Sequence, residues 1–318
     1  MSLPAVLTGA LSIPVIASPM FLCSGPDLVI AQCQAGVVGS FPALNARPAS
    51  LLGEWLHQIK SETIAYASAN PDAKVAPFAV NQIVHRSNRR LEQDMAVIVE
   101  HRVPIVITSL GARPEINDAV HSYGGLVLHD VISNEFAHKA ISKGADGIIA
   151  VAAGAGGHAG TQSPFALLQE IRAWFDGPLV LSGAIAHGRS ILAAQAAGAD
   201  LAYVGSAFLS ASEATADPAY QRMIVESSAK DIVYSNLFTG VHGNYLRGSI
   251  EAAGLDPDDL PVSDPSAMDF GTSAAKAWRD IWGAGQGIGV VDGIRPAREL
   301  VARLKDEYET ARQHLTAF

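Results

Sequence analysis

Eight short apolar runs, rich in Val, Ile and Leu and lacking period-2 alternation, constrain the fold of this chain more than any other feature. They are IPVIAS (residues 13–18), GVVGSF (36–41), KVAPFAVN (74–81), VPIVITS (103–109), GLVLHD (125–130), DGIIAVA (146–152), PLVLSG (178–183) and DLAYVG (200–205). Such runs read as strands buried on both faces of a parallel sheet. Helical patterning fills the gaps, as in PDLVIAQCQAG after the first run and SPFALLQEIRAWF after the sixth. In the latter, Ser163 is placed to cap, Pro164 to begin the helix, and Phe165, Leu168, Ile171 and Phe175 to share one face. KGADGIIAV and AGADLAYVG repeat one punctuation, a glycine suited to a helix C-terminus just before a strand. An eightfold βα alternation predicts an α/β chain folded as a (β/α)8 TIM barrel rather than an open doubly wound sheet.

The chain has 318 residues, more than one barrel requires. The spacing assigns residues 1–230 to the barrel, 231–275 to an insertion or lid after the eighth strand, and 276–318 to a C-terminal segment completing the barrel domain. ARELVARLKDEYETARQHL in that last segment reads as an amphipathic helix on the barrel's outside.

Charge and cysteine content narrow the function classes. The net charge of −9, with no basic stripe, argues against nucleic acid as a partner. No run approaches the roughly 18 apolar residues of a membrane span, and the uncharged first 26 residues, broken by Pro4, Pro14 and Pro19, read as a buried strand rather than a secretory signal. Cys23 and Cys33 lack the paired spacing of a zinc site and the numbers of a disulfide framework, so a reducing cytoplasm fits. Asp256, Asp258 and Asp259 lack the spacing of a calcium loop, and no metal site is expected. A homo-oligomer is compatible with this composition.

In such a barrel the loops leaving the C-terminal ends of the strands build the site, and those after strands 7 and 8 commonly bind phosphate. Here they read SGAIAHGRS and VGSAF. Gly183, Ala184, Gly205 and Ser206 are therefore candidates for a phosphate cradle, in which glycine lets backbone N–H groups approach an anion. No dinucleotide fingerprint or Walker loop is present, so a mononucleotide such as FMN is accommodated more easily. The loop after strand 6, GAGGHAG (154–160), carries His158 to the same rim. An imidazole titrates near neutrality, which makes it the default base for a weakly acidic C–H. His129, at the end of strand 5, and His242, in the insertion, compete with it, while His57, His101, His121, His138 and His314 fall away from that rim.

Six motifs in order, IPVIASPMF, AVN, AGGHAG, LSGAIAHGRS, YVGSAF and WGAGQGIG, give the whole chain a resemblance to the nitronate monooxygenases, also called 2-nitropropane dioxygenases. These are FMN-dependent (β/α)8 barrels related to flavin quinone reductases and flavin-containing enoyl-ACP reductases. The resemblance implies that Pro19, Met20 and Phe21 flank the flavin, that Asn81 hydrogen-bonds it, and that Gly156 and Gly157 approach it. It further implies that Gly183, Ala184, Gly205 and Ser206 hold the FMN phosphate, that Gln286 belongs to the flavin pocket, and that His158 is the catalytic base. Its partners would be a nitronate or nitroalkane and O2. The chain departs from the relatives at Ala184, where a second glycine is frequent, at Asp130, where many carry lysine, and at Val151, where several carry a polar residue. His242, Asn244, Tyr245 and Arg247 are candidate substrate contacts if the insertion covers the mouth, with a surface role as the equal alternative. Two rivals stand beside this reading: an NAD(P)H-dependent flavin reductase of quinones or enoyl thioesters, and a flavin-free barrel lyase or isomerase that binds a phosphorylated metabolite.

Overall fold

Each of the eight apolar runs overlaps a strand of one parallel sheet in a computed structural model that describes residues 3–263 and 280–317. The strands are β1 (Val15–Ala17), β2 (Gly39–Pro42), β3 (Phe78–Ile83), β4 (Ile105–Ser109), β5 (Leu126–Val131), β6 (Gly147–Val151), β8 (Leu179–Ser182) and β9 (Leu201–Val204). The short β7 (Gly157–His158) interrupts the count, so β8 and β9 are the seventh and eighth barrel strands. The sheet runs β1-β9-β8-β6-β5-β4-β3-β2. A parallel bridge between Ile16 and Val38, with Ala17 N–H donating to the Val38 carbonyl at 2.8 Å, joins its two edges and closes the barrel.

Helices α1 (Pro26–Gln34), α2 (Leu51–Ala69), α3 (Leu91–Glu100), α4 (Pro114–His121), α5 (Asn134–Ser142), α6 (Pro164–Arg172) and α7 (Gly188–Ala196) follow the first seven barrel strands. After β9 come a single turn, α8 (Ser206–Leu209), then α9 (Pro218–Glu226) and α10 (Arg247–Ala252). The place of the eighth outer helix is taken by α11 (Ala297–Thr316), which packs between α7 and α1. Glu307 Oε2 accepts from the first amide of α7, that of Gly188, at 2.8 Å. On α6, Ser163 stands at the N-cap and Pro164 begins the helix, but the Ser163 side chain makes no capping bond. The buried face there is Leu167, Leu168 and Ile171, whereas Phe165 is 59% exposed and outside the expected stripe.

Alternation along each strand divides the core in two. Val15, Val80, Val106, Val127, Ile148 and Leu179 point out against the helices. Ile16, Ala79, Ile107, Leu128, Ile149, Val180 and Leu201 fill the barrel itself. Leu7, only 1% exposed, with Leu3, Val6 and Leu11 beside it, closes the end from which β1 sets out. Burial of this apolar surface is the main stabilising term for such an interior. No helix among the described residues is long and apolar enough to cross a membrane.

The expected insertion folds back on the barrel's C-terminal mouth. β10 (Ile232–Ser235) and β11 (Gly243–Leu246) form an antiparallel pair, and β11 pairs in turn with β7, aligning Gly243 with His158 and Asn244 with Gly157. Residues 264–275 of the expected insertion lie outside the described residues.

Candidate active site at the barrel mouth

One step of two residues beyond the barrel filling, the inward positions change character. Ile16 is followed by Ser18, Ala79 by Asn81, Ile107 by Ser109, Leu128 by Asp130, Ile149 by Val151, Val180 by Ser182 and Leu201 by Tyr203. All seven of these second residues line one cavity of about 270 Å³, open at the C-terminal mouth. Val151 is the one apolar member of the ring. This polar floor was readable as the last inward position of each run, yet among its polar members the sequence pointed only to Asn81, as a flavin contact, and to Asp130, as a departure from the relatives, because each of these residues reads as the frayed end of an apolar stretch.

His158 lines the same cavity, on the loop leaving β6. Its Nε2 lies 2.9 Å from Thr239 Oγ1. The Thr239 hydroxyl donates to the Val241 carbonyl at 3.1 Å, so its oxygen accepts from Nε2–H and the lone pair of the ring falls on Nδ1. Burial pulls the imidazole down to about 4, leaving it neutral and in its base form at neutral pH. The Ala159 amide donates to the His242 carbonyl at 3.2 Å, and Asn244 Nδ2 donates to the Ala155 carbonyl at 2.6 Å. The loop is thus gripped on both sides of the histidine by the insertion.

Glycine at 156 answers to this grip: a Cβ there would lie 2.8 Å from the Gly285 amide nitrogen. Gly157, at φ 68°, takes a left-handed conformation that a side chain would strain. Both residues line the cavity. Gln286 departs from expectation. It is absent from the cavity wall; its amide donates to the Gly154 carbonyl at 2.9 Å and so braces the loop from behind.

Gly183, Ala184, Gly205 and Ser206 meet at the cavity rim, after β8 and β9. The chain turns there through Gly183 at φ 138° and Ala184 at φ 54°. Among the described residues, the amides of Gly183, Gly205 and Ser206 donate to no carbonyl, so three donors remain for an anion. The Ala184 amide does not join them, because it donates to the Gly154 carbonyl at 3.2 Å. Ser206 Oγ accepts from the Gly285 amide at 2.8 Å. These groups fit a phosphate held through backbone, and among the described residues no Lys or Arg lines the cavity. Pro19, Met20 and Phe21, which follow β1, line the same cavity. Their loop is clamped by Asn45, whose Nδ2 donates to the Met20 carbonyl and whose Oδ1 accepts from the Leu22 amide, both at 2.9 Å.

On the floor, Asn81 Nδ2 donates to Ser109 Oγ at 2.7 Å, and Ser109 Oγ donates to Asp130 Oδ2 at 2.6 Å. Burial pushes the Asp130 carboxyl up to about 6, against the Ser109 hydrogen bond, which holds it down.

Of the chain's ten histidines, His158 alone lines the cavity. His129 has the other strand parity, and its Nδ1 pairs with Thr108 Oγ1 at 2.6 Å. His138 stacks on Trp174, with ring centroids 3.7 Å apart, and His121 pairs with Asp146. The four insertion residues weighed as substrate contacts do not line this cavity. His242 is exposed and stacks on Tyr234, Asn244 is spent on Ala155, Tyr245 is fully buried, and Arg247 pairs with Asp258 at 2.8 Å on the surface.

A family model described as nitronate monooxygenase matches residues 5–307. A nitronate monooxygenase of Paraburkholderia phytofirmans is 27% identical, over 96% of this chain and 94% of its own. Among solved structures, nitroalkane oxidase from Streptomyces ansochromogenes superposes with a TM-score of 0.80 at 24% identity, covering 98% of this chain and 100% of that one. FabK from Thermotoga maritima superposes with a TM-score of 0.76 at 23% identity, covering 96% of each chain. Those two likenesses show the shared barrel. The family match spans the His158 loop and both glycine rims, and the chain belongs to the nitronate monooxygenase family, a family of oxidoreductases.

Proposed function

We propose that the protein is an FMN-dependent nitronate monooxygenase that oxidises alkyl nitronates and nitroalkanes with O2 to a carbonyl compound and nitrite. The observation that carries this reading is the meeting, in one cavity, of a neutral imidazole and a rim of uncommitted backbone amides. Gly183, Gly205 and Ser206 would hold the FMN phosphate; Pro19, Met20, Phe21, Asn81, Gly156 and Gly157 would surround the flavin ring. When bound, FMN supplies electron transfer between the substrate and O2.

His158 then has one task, to take the α-proton of a neutral nitroalkane at Nδ1 while Thr239 holds Nε2–H. An anionic nitronate needs no such step. Asn81 is fixed by Ser109 and by the Ile107 carbonyl, so its remaining amide oxygen is presented without reorganisation. In this reading residues 1–230 and 276–318 make the barrel domain and residues 231–275 are an insertion whose first half walls the His158 loop.

The test is reconstitution with FMN, a visible spectrum, and nitrite release from 2-nitropropane and its nitronate. Bleaching of the flavin by nitronate but not by NADH under anaerobic conditions supports the oxygenase; rapid bleaching by NADH would establish the reductase instead. A protein that stays colourless after incubation with FMN would establish the flavin-free alternative. If His158→Asn still turns over nitroalkane with FMN bound, His158 is not the base.

A further inference from the structure

The inward residues at the floor of the cavity divide into a side whose hydrogen bonds are made and a side whose hydrogen bonds are not. Asn81, Ser109 and Asp130, on the neighbouring strands β3, β4 and β5, are joined in one hydrogen-bonded run. On β2 the Ser40 hydroxyl donates to the Ala17 carbonyl, and on β6 Val151 has no polar group to offer. The remaining side is built by β1, β9 and β8, which are neighbours in the sheet. It carries Ser18, Tyr203 and Ser182, all on the cavity wall. Among the described residues, the hydroxyls of these three side chains make no hydrogen bond.

Ser182 and Tyr203 are each only 8% exposed, so bulk water reaches them poorly. A buried hydroxyl without a partner costs free energy, and here three such groups face one space. Burial, and behind it the Asp130 charge, holds the Tyr203 phenol well above its usual pKa, so it enters any contact as an O–H. A hydroxyl both donates and accepts, and the group that best answers several of them is another set of hydroxyls.

Their place narrows the ligand further. Ser182 immediately precedes Gly183, Tyr203 stands two residues before Gly205, and a Cβ on Gly205 would lie 3.3 Å from that of Ser18. The three hydroxyls therefore adjoin the rim where the Gly183, Gly205 and Ser206 amides donate to no carbonyl. A chain of hydroxyls ending in a phosphate would satisfy both sets of groups at once.

We propose that Ser18, Ser182 and Tyr203 form a polyol subsite that holds the hydroxylated ribityl chain of the flavin nucleotide, so that the protein selects its cofactor by that chain as well as by its phosphate. This rests on the FMN reading above and adds to it three residues that none of the sequence motifs assigned.

The experiment compares three flavins on the full-length chain freed of bound flavin: FMN, riboflavin, which lacks the phosphate, and lumiflavin, which lacks both the phosphate and the hydroxylated chain. Affinity is read from the quenching of flavin fluorescence. Wild-type protein should bind riboflavin about tenfold more tightly than lumiflavin. Ser18→Ala, Ser182→Ala and Tyr203→Phe should each weaken FMN and riboflavin alike, by about three- to tenfold, and leave lumiflavin within about twofold. The urea midpoint of each flavin-free variant should not fall, because the group removed has no partner there. Three variants that bind FMN as tightly as wild type overturn the proposal and leave the functional reading standing. A loss on lumiflavin as large as that on riboflavin also overturns it, by placing the hydroxyls against the ring, and so does a loss confined to FMN, by placing them against the phosphate. A wild-type protein that binds none of the three flavins defeats the functional reading and this subsite together.

Discussion

His158 Nε2 and Thr239 Oγ1 stand 2.9 Å apart although 81 residues of chain separate them. The hydroxyl belongs to the turn between β10 and β11, and the histidine to the loop it pairs with, so one small sheet fixes both partners. Replacing Thr239 by Val removes the acceptor for Nε2–H and frees the ring to take the wrong tautomer. The expected outcome is a fall in kcat on nitroalkane of about tenfold or more, with the flavin spectrum unchanged and with nitronate turnover spared. Thr239→Ser should restore the rate, which a merely structural role for the side chain would not require.

Gly156→Ala places a methyl group against the Gly285 backbone, which has no side chain to swing aside. Overpacking of this kind costs about 1–3 kcal/mol. A lowered urea midpoint is expected together with faster loss of FMN on dialysis, since the loop that moves also lines the cavity.

Stability should depend on pH through His129. Burial holds its folded pKa at about 4, below the 6.5 of an exposed imidazole, so the unfolded chain binds the extra proton. Its contribution is complete above about pH 6.5 and is lost as the pH falls toward 4. Between pH 7 and pH 4.5 the wild type should lose about 2–3 kcal/mol from this residue. Urea denaturation of His129→Asn at the two pH values should show a correspondingly shallower slope; an unchanged slope would sink the assignment.

Much of this was legible in the sequence because a barrel strand is buried on both faces and cannot hide its apolar run. The loops that follow were equally plain, and they brought His158, Gly183, Gly205 and Ser206 to one rim. What escaped were contacts made at long range. Nothing in GAGGHAG announces that Gly156 faces Gly285, or that Ala155 receives Asn244. Gln286 sits in a motif that resembles a flavin contact, yet its backbone is committed to Gly154. Asp130 was noticed as a departure, but its burial and its hydrogen bond from Ser109 on the neighbouring strand are properties of the assembled barrel.

Arg247 is a chemically attractive residue in the right segment for which the surface alternative holds. Its guanidinium is committed to Asp258 on the surface. Exposed pairs of this kind contribute little. Arg247→Ala is expected to leave KM, kcat and the thermal midpoint within error of wild type, measured on the FMN-loaded protein.

The hold of residues 239–244 and 285–286 on the His158 loop sets an order of events during synthesis. All eight barrel strands are complete by Val204, before the ribosome has made Thr239, Asn244 or Gly285. A nascent chain can therefore close its barrel while the loop bearing the base still lacks the partners that Thr239, His242, Asn244 and Gln286 supply. Nearly the whole polypeptide must be finished before the protein becomes an enzyme, and a product truncated before residue 239 would be a barrel with its histidine adrift.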